Sequence, residues 1–369
     1  MKTAILSAAL MLASTVAMAQ KSNFQLKVDL KNFNSDSVLV YKGRNVKMDT
    51  VLVKNGKFTY SANLDKVAGY VFLSPEGQFM FNLPCVPGEK AEVKGDAKTR
   101  FDISGSKFYQ QYHEVDVLLE NANKELRDYE ASLNQRIKNG ETQQTIMAEY
   151  EQKAPALQKA KDDKIFNFVK QHPDYESCAT IFEQFDDVSK MEKLLGLLSE
   201  NVKNGRMKAF YQPMIDMAKK RAEAEEKAKK VQAAGVEAPD FTLKDIKGND
   251  FKLSSLRGKI VVLDFWGSWC GWCIKGMPKM KEYYEKYKGK FEILGVDCND
   301  TEAKWKAAVE KHQLPWIHVY NPKDSKVLSD YAVQGFPTKI VIDANGKIIK
   351  TIVGEDPAFY TLLDEVLGK

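Results

Sequence analysis

Two cysteines three residues apart, Cys270 and Cys273, are the residues of this sequence best suited to chemistry. They follow a short apolar run at 261–265 and a break at Gly267 and Ser268, which is typical of a buried strand that turns into a helix. The free N–H groups and the positive dipole end at a helix start favour a thiolate at Cys270. The pattern predicts thiol–disulfide exchange, with Cys270 as an exposed nucleophile and the more buried Cys273 as the residue that resolves the mixed disulfide.

An acid, Asp264, interrupts the apolar run just ahead of the two cysteines. An aspartate inside a buried strand loses its hydration, which raises its pKa and makes it a candidate proton acceptor. We predict that Asp264 takes the proton of Cys273 through water. The alternative is a core acid that is satisfied by its surroundings and has no catalytic role. Trp269 and Trp272, on either side of Cys270, are predicted to form an apolar rim for a substrate.

The same cysteine pair is half of a candidate zinc site, because structural zinc in proteins takes four ligands. No second Cys-x-x-Cys pair accompanies it and the four histidines are scattered, so we expect no metal and no cofactor. Of the other cysteines, Cys85 and Cys178 are predicted to be buried and inert. Cys298 follows a predicted strand on the active-site side of the sheet, which makes it either a bystander or a regulatory partner of the pair.

The elements that must position the cysteines come from an α/β pattern over residues 235–369. A hairpin at 241–253 precedes the central strand at 261–265, and a helix begins at Cys270. Further strands are predicted at 291–296, 316–320, 339–342 and 348–353. Helices are predicted at 302–312, 326–331 and 357–367.

The first two-thirds of the chain carry two other patterns. Residues 20–105 alternate in polarity and contain turn signals such as Asn55-Gly56, which predicts a small antiparallel β domain in the form of a sandwich or barrel. Residues 106–234 favour helix, with breaks at Asn139-Gly140 and His172-Pro173. The stretch 218–230 is nearly all charge and alanine, and it is either a solvated helical spacer or a charged linker.

The first residues indicate export. Lys2, an apolar run at 4–16 and Ala17-Met18-Ala19 before Gln20 predict a cleaved signal peptide over 1–19. No cysteine follows the cleavage site and no later stretch is a transmembrane candidate, so we expect a soluble periplasmic or otherwise exported protein. The net charge of +5 is too small for a chain of this size to indicate nucleic acid or an anionic membrane as a partner.

The sequence over residues 235–369 resembles the thioredoxin fold of TlpA/ResA-type exported thiol–disulfide oxidoreductases. The matching features are Trp269-Cys270-Gly271-Trp272-Cys273, Asp264, Pro278, Pro337, Gly354 and an insert at 297–334. The resemblance implies that Pro337 is cis and faces a redox-active pair, and that Phe336 offers backbone groups to an extended substrate. It also implies client proteins with cysteines or disulfides, and an electron donor, for which we expect a membrane redox protein.

Two positions depart from the pattern of the family. Gly271-Trp272 stands between the cysteines where thioredoxin has Gly-Pro, and this dipeptide helps to set the direction of electron flow. ResA-type cytochrome-maturation proteins carry a glutamate three residues after the second cysteine, and here that residue is Gly276. The leading hypothesis is a reductase of protein disulfides, with oxidase and isomerase activity left open.

The front of the chain resembles the β domain of unknown function and the helical spacer that precede TlpA-like domains in exported Bacteroidetes proteins. This implies location, and a homodimer through the N-terminal or helical region, but no activity. Two other functions stay open. One is a peroxiredoxin-like peroxide reductase, although residues 265–269 lack the Pro-x-x-x-Thr-x-x-Cys signature. The other is a partner- or glycan-binding protein in which the redox domain is incidental.

Overall fold

The structure is a computed structural model that describes residues 22–368. These residues form two compact units, divided between Ala218 and Lys219. The predicted signal peptide at 1–19 lies outside the described residues. Among residues 22–368, no helix combines the length and the apolar character needed to cross a membrane.

The first unit begins with eight strands in two four-stranded sheets, ordered β4-β1-β7-β8 and β3-β2-β5-β6. The strands are β1 (Phe24–Lys31), β2 (Ser37–Tyr41), β3 (Asp49–Leu52), β4 (Lys57–Ala62), β5 (Ala68–Leu73), β6 (Met80–Cys85), β7 (Lys90–Asp96) and β8 (Phe101–Gly105). Strand β1 buries every second residue, which is the alternation predicted from the sequence. The predicted β domain is confirmed. Its pairings are antiparallel except for β1 with β7, which is parallel.

The turn at Asn55 and Gly56 differs from the expected hairpin. Both residues have positive φ, and Lys54 and Lys57 exchange two backbone hydrogen bonds of 3.0 Å across the turn. The pairing ends at this single bridge, because β3 pairs with β2 while β4 pairs with β1 in the other sheet. The turn therefore carries the chain from one sheet to the other.

Helices follow directly after β8, and the last of them extends past the division at Ala218. They are α1 (Lys107–Lys138), α2 (Gln143–Gln171), α3 (Val188–Leu197), α4 (Glu200–Asn204) and α5 (Lys208–Val231), with a 3-10 helix at Glu176–Gln184 between α2 and α3. The predicted breaks are confirmed, since α1 ends just before Asn139 and α2 just before His172. The charged stretch 218–230 is helical and lies within α5, so the linker alternative is wrong. Alanine, lysine and glutamate are strong helix formers, and Arg221–Glu225 adds a pair one turn apart.

The sheets and helices of the first unit share one apolar core. At the start of α1, Phe108 and Tyr109 are buried, and the Tyr109 hydroxyl donates a hydrogen bond of 2.7 Å to the carbonyl of Pro84. Gly105 allows this junction, because its φ is +140° and a Cβ there would lie 2.1 Å from the Lys90 carbonyl oxygen. The chain therefore passes from β8 into α1 only with glycine at this position.

We predict that Gly105→Ala lowers the free energy of unfolding by about 2–4 kcal/mol, because it adds a backbone clash to an unfavourable φ. The measurement is urea unfolding followed by far-UV circular dichroism. Gly140→Ala is the matched control, since Gly140 also has positive φ but a Cβ there meets nothing within 4 Å. Equal destabilisation by the two substitutions would contradict the role given to the clash.

The second unit contains a seven-stranded sheet ordered β10-β9-β13-β12-β11-β14-β15. Its elements are β9 (Thr242–Asp245), β10 (Asp250–Lys252), β11 (Ile260–Trp266), α6 (Gly271–Lys286), β12 (Phe291–Asp297), α7 (Glu302–His312), β13 (Ile317–Tyr320), α8 (Val327–Asp330), β14 (Thr338–Ile342), β15 (Ile348–Val353) and α9 (Ala358–Leu367). The sheet is mixed, since β11 runs parallel to β12 and antiparallel to β14. This confirms the thioredoxin fold expected for the C-terminal region.

Strand β11 is buried on both faces and divides the core of this unit in two. Val262 and Trp266 belong to the cluster that contains residues of α6 and α9, whereas Val261, Leu263 and Phe265 belong to the cluster on the opposite face. Because successive side chains of a strand alternate between faces, the side chain between Val262 and Trp266 points toward α6. That side chain is Asp264.

Candidate active site

Cys270 and Cys273 form a disulfide at the N-terminus of α6. Their sulfurs are 1.97 Å apart and their Cα atoms 5.3 Å apart. Cys270 is the N-cap residue of α6, and the backbone N–H of Cys273 donates a hydrogen bond of 3.1 Å to the Cys270 sulfur. The helix start thus offers an N–H donor and the positive end of its dipole to Cys270, and both favour a negative charge on that sulfur after reduction.

The burial of the pair corrects one expectation. Cys270 is 5% exposed and Cys273 is 4% exposed, so the prediction of an exposed Cys270 is wrong for the oxidised protein, in which the two cysteines are about equally buried. Each sulfur covers the other in the disulfide, and both side chains belong to the apolar cluster beneath α6. The remaining exposed fraction of the pair is small, and the surface around it is formed by other residues.

Trp269 and Trp272 are part of that surface, with exposed fractions of 52% and 63%. The Trp269 indole N–H donates a hydrogen bond of 2.9 Å to the carbonyl of Cys298, and its ring packs edge-on against Phe336 with centroids 5.3 Å apart. The Trp272 ring carries the ammonium of Lys275 at 4.8 Å from its centroid. Trp269 is therefore fixed in orientation, whereas Trp272 projects further into solvent.

The peptide bond between Phe336 and Pro337 is cis, as the resemblance implies. The carbonyl of Pro337 accepts a hydrogen bond of 2.8 Å from the N–H of Gly354, and the Thr338 hydroxyl donates one of 2.8 Å to the carbonyl of Gly335. These bonds fix the loop that leads into β14. Through Phe336, the loop touches the same tryptophan that borders the cysteines.

Asp264 is a buried acid on the α6 side of the sheet, with 6% of its surface exposed. Burial raises its pKa to about 6, an effect opposed by the charge of Lys339 and reinforced by that of Glu355. Its Oδ1 atom has no hydrogen-bond partner among the described residues. The direction of this shift agrees with the expectation from the sequence, and an acid with such a pKa is mostly ionised at neutral pH but takes up a proton about one pH unit lower.

Three residues beside Asp264 were not found by sequence reasoning: Lys339, Glu355 and Tyr360. Lys339 lies opposite Asp264 in the β11–β14 pairing and is 1% exposed. Its ammonium is 2.8 Å from the Glu355 carboxylate, which also accepts a hydrogen bond of 2.9 Å from the Tyr360 hydroxyl. The available signal was a lysine directly before the apolar run at 340–342 of β14.

Glu355 also lies beside Gly276, the residue at which this sequence departs from the ResA-type pattern. A Cβ at position 276 would lie 2.2 Å from an oxygen of the Glu355 carboxylate, so that carboxylate fills the space into which a side chain there would point. The space beside Gly276 is therefore occupied by the carboxylate of Glu355, which follows β15.

The other three cysteines are buried free thiols. Burial raises the pKa of Cys85, Cys178 and Cys298, which keeps all three protonated and unreactive. Cys298 is completely buried, and its thiol donates to the carbonyl of Val296 at 3.3 Å. It contributes to the site through its backbone carbonyl, which holds Trp269.

Further acids lie where β12 ends, near the turn before Cys270. The Asp300 carboxylate accepts a hydrogen bond of 2.8 Å from the N–H of Ser268, which anchors this turn. Asp297 is completely buried, and burial together with Asp300 raises its pKa to about 8. On β13, burial lowers the pKa of His318 to about 3. Asp297 and His318 are therefore uncharged at neutral pH.

Comparison with known proteins agrees with this geometry. Residues 234–351 match the AhpC/TSA family, and residues 24–112 match a domain of unknown function, DUF4369. The thiol-disulfide oxidoreductase ResA of Bacillus cereus is 42% identical over 122 residues, which are 33% of this chain and 70% of that protein. This chain belongs to the ResA-like thiol–disulfide oxidoreductases. ResA of Geobacillus thermodenitrificans is 41% identical over 123 residues and is likewise covered to 70% of its length, against 33% of this chain.

Among solved structures, the thioredoxin domain of a thiol-disulfide oxidoreductase from Bacteroides vulgatus is 35% identical, with 37% of this chain and 98% of that chain covered and a TM-score of 0.35. A thiol:disulfide interchange protein from Bacteroides sp. is also 35% identical, with 37% and 91% covered and a TM-score of 0.35. As a member of the ResA-like group, the chain is a thiol–disulfide oxidoreductase.

Proposed function

We propose that this protein is an exported reductase of protein disulfides that works through the Cys270–Cys273 pair. The observation that carries the proposal is the disulfide at the start of α6, with Cys270 as the N-cap residue and a buried acid on the sheet beneath. A helix start stabilises a thiolate, and a buried acid near neutral pKa can exchange a proton with a thiol. Together these groups supply the two functions that stepwise thiol–disulfide exchange requires.

The reaction has two exchange steps. In the reduced protein, the Cys270 thiolate attacks one sulfur of a client disulfide, which forms a mixed disulfide and releases the first client thiolate. Cys273 then loses its proton and attacks the Cys270 sulfur, which releases the second client thiolate and restores the intramolecular disulfide. Two electrons pass to the client, and its two thiolates take up two protons. An external dithiol donor, oxidised in turn, reduces the pair again.

Asp264 is proposed as the base for the second step. Its pKa of about 6 leaves it ionised at neutral pH, so it can accept the Cys273 proton through water and pass it to the departing thiolate. Trp269, Trp272, Phe336 and Pro337 are proposed to bind the extended client segment around the reacting sulfur. The exposure of both indoles and the contact between Trp269 and Phe336 support a continuous apolar surface for this segment.

Location and partners belong to the same proposal. The signal peptide at 1–19 sends the protein to the periplasm, where a membrane redox protein is the proposed electron donor. The β domain at 20–105 and the helical region at 106–234 are proposed to present clients or to form a homodimer, and the thioredoxin-like domain at 235–369 carries the chemistry.

The test is to trap the mixed disulfide. A Cys273→Ser variant of the full chain should accumulate covalent complexes with client proteins, because the second step is lost while Cys270 still attacks. Complexes are resolved on non-reducing gels and must disappear with dithiothreitol. The Cys270→Ser/Cys273→Ser double variant is the control. If Cys273→Ser traps nothing and the unsubstituted protein does not reduce insulin, the proposal is wrong.

The direction of electron flow is tested by the reduction potential of the Cys270–Cys273 pair. A value near that of thioredoxin, about −270 mV, agrees with a reductase, whereas one near about −120 mV indicates an oxidant like DsbA. Rapid consumption of hydrogen peroxide by Cys270 alone would favour the peroxidase alternative.

A further inference from the structure

We propose that Lys339 and Glu355 form a positioning ion pair that controls proton transfer between Asp264 and Cys273. This inference rests on the proposed function, in which Asp264 is the base for the second exchange step. Lys339 and Glu355 touch neither substrate nor the reacting sulfurs in this scheme. They act through Asp264 and through the redox helix.

The position of Lys339 points to this role. In the β11–β14 pairing, Lys339 lies opposite Asp264, and the alternation of β14 places it on the same face of the sheet. It is 1% exposed, and its ammonium is 2.8 Å from the Glu355 carboxylate. A buried lysine in the middle of a sheet is rare, because removing an ammonium from water costs several kcal/mol unless it is paired.

Packing alone does not explain this pair. The following residues of β14, Ile340, Val341 and Ile342, are all apolar and buried, which is the usual composition of a central strand. An apolar residue in place of Lys339 would satisfy the strand without the desolvation of two charges. The pair therefore costs stability at a position directly opposite the proposed base.

The ion pair is also connected to the redox helix. The Tyr360 hydroxyl on α9 lies 2.9 Å from one oxygen of Glu355 and 3.4 Å from the carbonyl of Gly276 in α6. The Glu355 carboxylate itself fills the space beside Gly276. A single network thus joins β14, the segment after β15, α9 and the helix that carries Cys273.

The other buried ionisable groups of the neighbouring elements carry no charge at neutral pH. On β12, Asp297 stays protonated because its pKa is about 8, and on β13 His318 stays neutral because its pKa is about 3. Burial raises the pKa of Tyr360 on α9 and of Cys298 after β12, so both also remain neutral. From α6, Cys273 packs in the apolar cluster on the Asp264 side of the sheet.

Lys339 and Glu355 are therefore the charges that act on Asp264, and they act in opposite directions. The ammonium stabilises the ionised carboxylate and keeps Asp264 ready to accept a proton, while the Glu355 carboxylate opposes ionisation. Removal of the positive charge should shift the pH midpoint of the second exchange step upward. Removal of the negative charge should shift it downward.

The experiment uses the full chain in single-turnover reduction of insulin between pH 5 and pH 9. Prereduced protein is mixed with insulin and quenched with acid, and the mixed disulfide and the final disulfide are quantified at each time. We expect Lys339→Met to raise the midpoint of the second step by about one pH unit and to slow it about fivefold at pH 6. We expect Glu355→Gln to lower the midpoint, and Lys339→Arg to leave it nearly unchanged because the charge is kept.

The outcomes separate the two proposals. If the unsubstituted protein does not reduce insulin and Cys273→Ser traps no mixed disulfide, the proposed function fails. If insulin is reduced but Lys339→Met and Glu355→Gln leave the midpoint unchanged, or move it in the same direction, the positioning role is wrong. A merely structural role would change the amount of folded protein and would not produce opposite shifts. Should Lys339→Met not fold, the downward shift in Glu355→Gln decides the question alone.

Discussion

Cys270→Ser is expected to abolish reduction of protein disulfides, with a loss of at least about 10³-fold in the rate of insulin reduction. The hydroxyl of serine is a far weaker nucleophile than the thiolate of cysteine. It also cannot form the mixed disulfide on which the second step depends. The Cys273 N–H donates a hydrogen bond to the Cys270 sulfur, and the helix start adds its positive dipole end. Both groups promote the reaction only when residue 270 can form a thiolate. The measurement is insulin reduction with dithiothreitol as the electron source, corrected for the rate without protein.

A matched control separates this loss from a general effect of losing a cysteine. Cys85→Ser removes a buried free thiol of the first unit and should leave the rate of insulin reduction unchanged in protein that folds. A Cys270→Ser variant that retains a tenth or more of the normal rate would show that the reaction does not begin at this sulfur. Far-UV circular dichroism of each variant confirms that the comparison is made between folded proteins.

Asp264→Asn is expected to slow the second exchange step by about 10²-fold at pH 7, because asparagine keeps the shape of the side chain but cannot accept the Cys273 proton. In the unsubstituted protein, the rate of that step should fall as the pH drops through about 6, where Asp264 becomes protonated. In the variant this fall should be absent. Single-turnover reduction of insulin gives both results. A variant with a normal rate and the same pH midpoint would remove Asp264 from the mechanism.

Asp264→Asn should slow the reaction but stabilise the folded protein. Because the pKa of Asp264 is higher in the folded protein than in the unfolded chain, the folded state binds more protons between about pH 4 and pH 6, and its stability falls as the pH rises through that range. Asp264→Asn should therefore stabilise the oxidised protein at pH 7 by roughly 2–3 kcal/mol and should lose this advantage below about pH 4. Urea unfolding at pH 4 and pH 7, followed by tryptophan fluorescence, measures it.

Local patterns made most of the second unit predictable. The helix at Glu302–His312 and the strand at Ile348–Val353 have the bounds expected from periodicity. Cys270 lies at the helix start, as the break at Gly267 and Ser268 predicted. In each case the residues that form the element are neighbours in sequence, so apolar spacing and turn residues contain the information.

What sequence reasoning missed depends on distant contacts. The burial of Cys270 follows from the disulfide and from the cluster that covers it, neither of which has a signature in the neighbouring residues. Lys339 and Glu355 are brought to Asp264 by the pairing of β14 with β11 and by the segment after β15. The turn at Asn55 and Gly56 was recognised, but its flanking strands pair in different sheets, and long-range packing makes that choice.

The origin of the acid beside Gly276 has a consequence for protein engineering. A graft that moves only residues 269–276 into another thioredoxin scaffold transfers both sulfurs and both indoles, yet it leaves behind the carboxylate that occupies the space beside the helix. Because that carboxylate and its lysine come from β14 and the segment after β15, a chimera needs residues 336–360 as well. Chimeras with and without this second segment should share the attacking cysteine but differ in how quickly they release their clients.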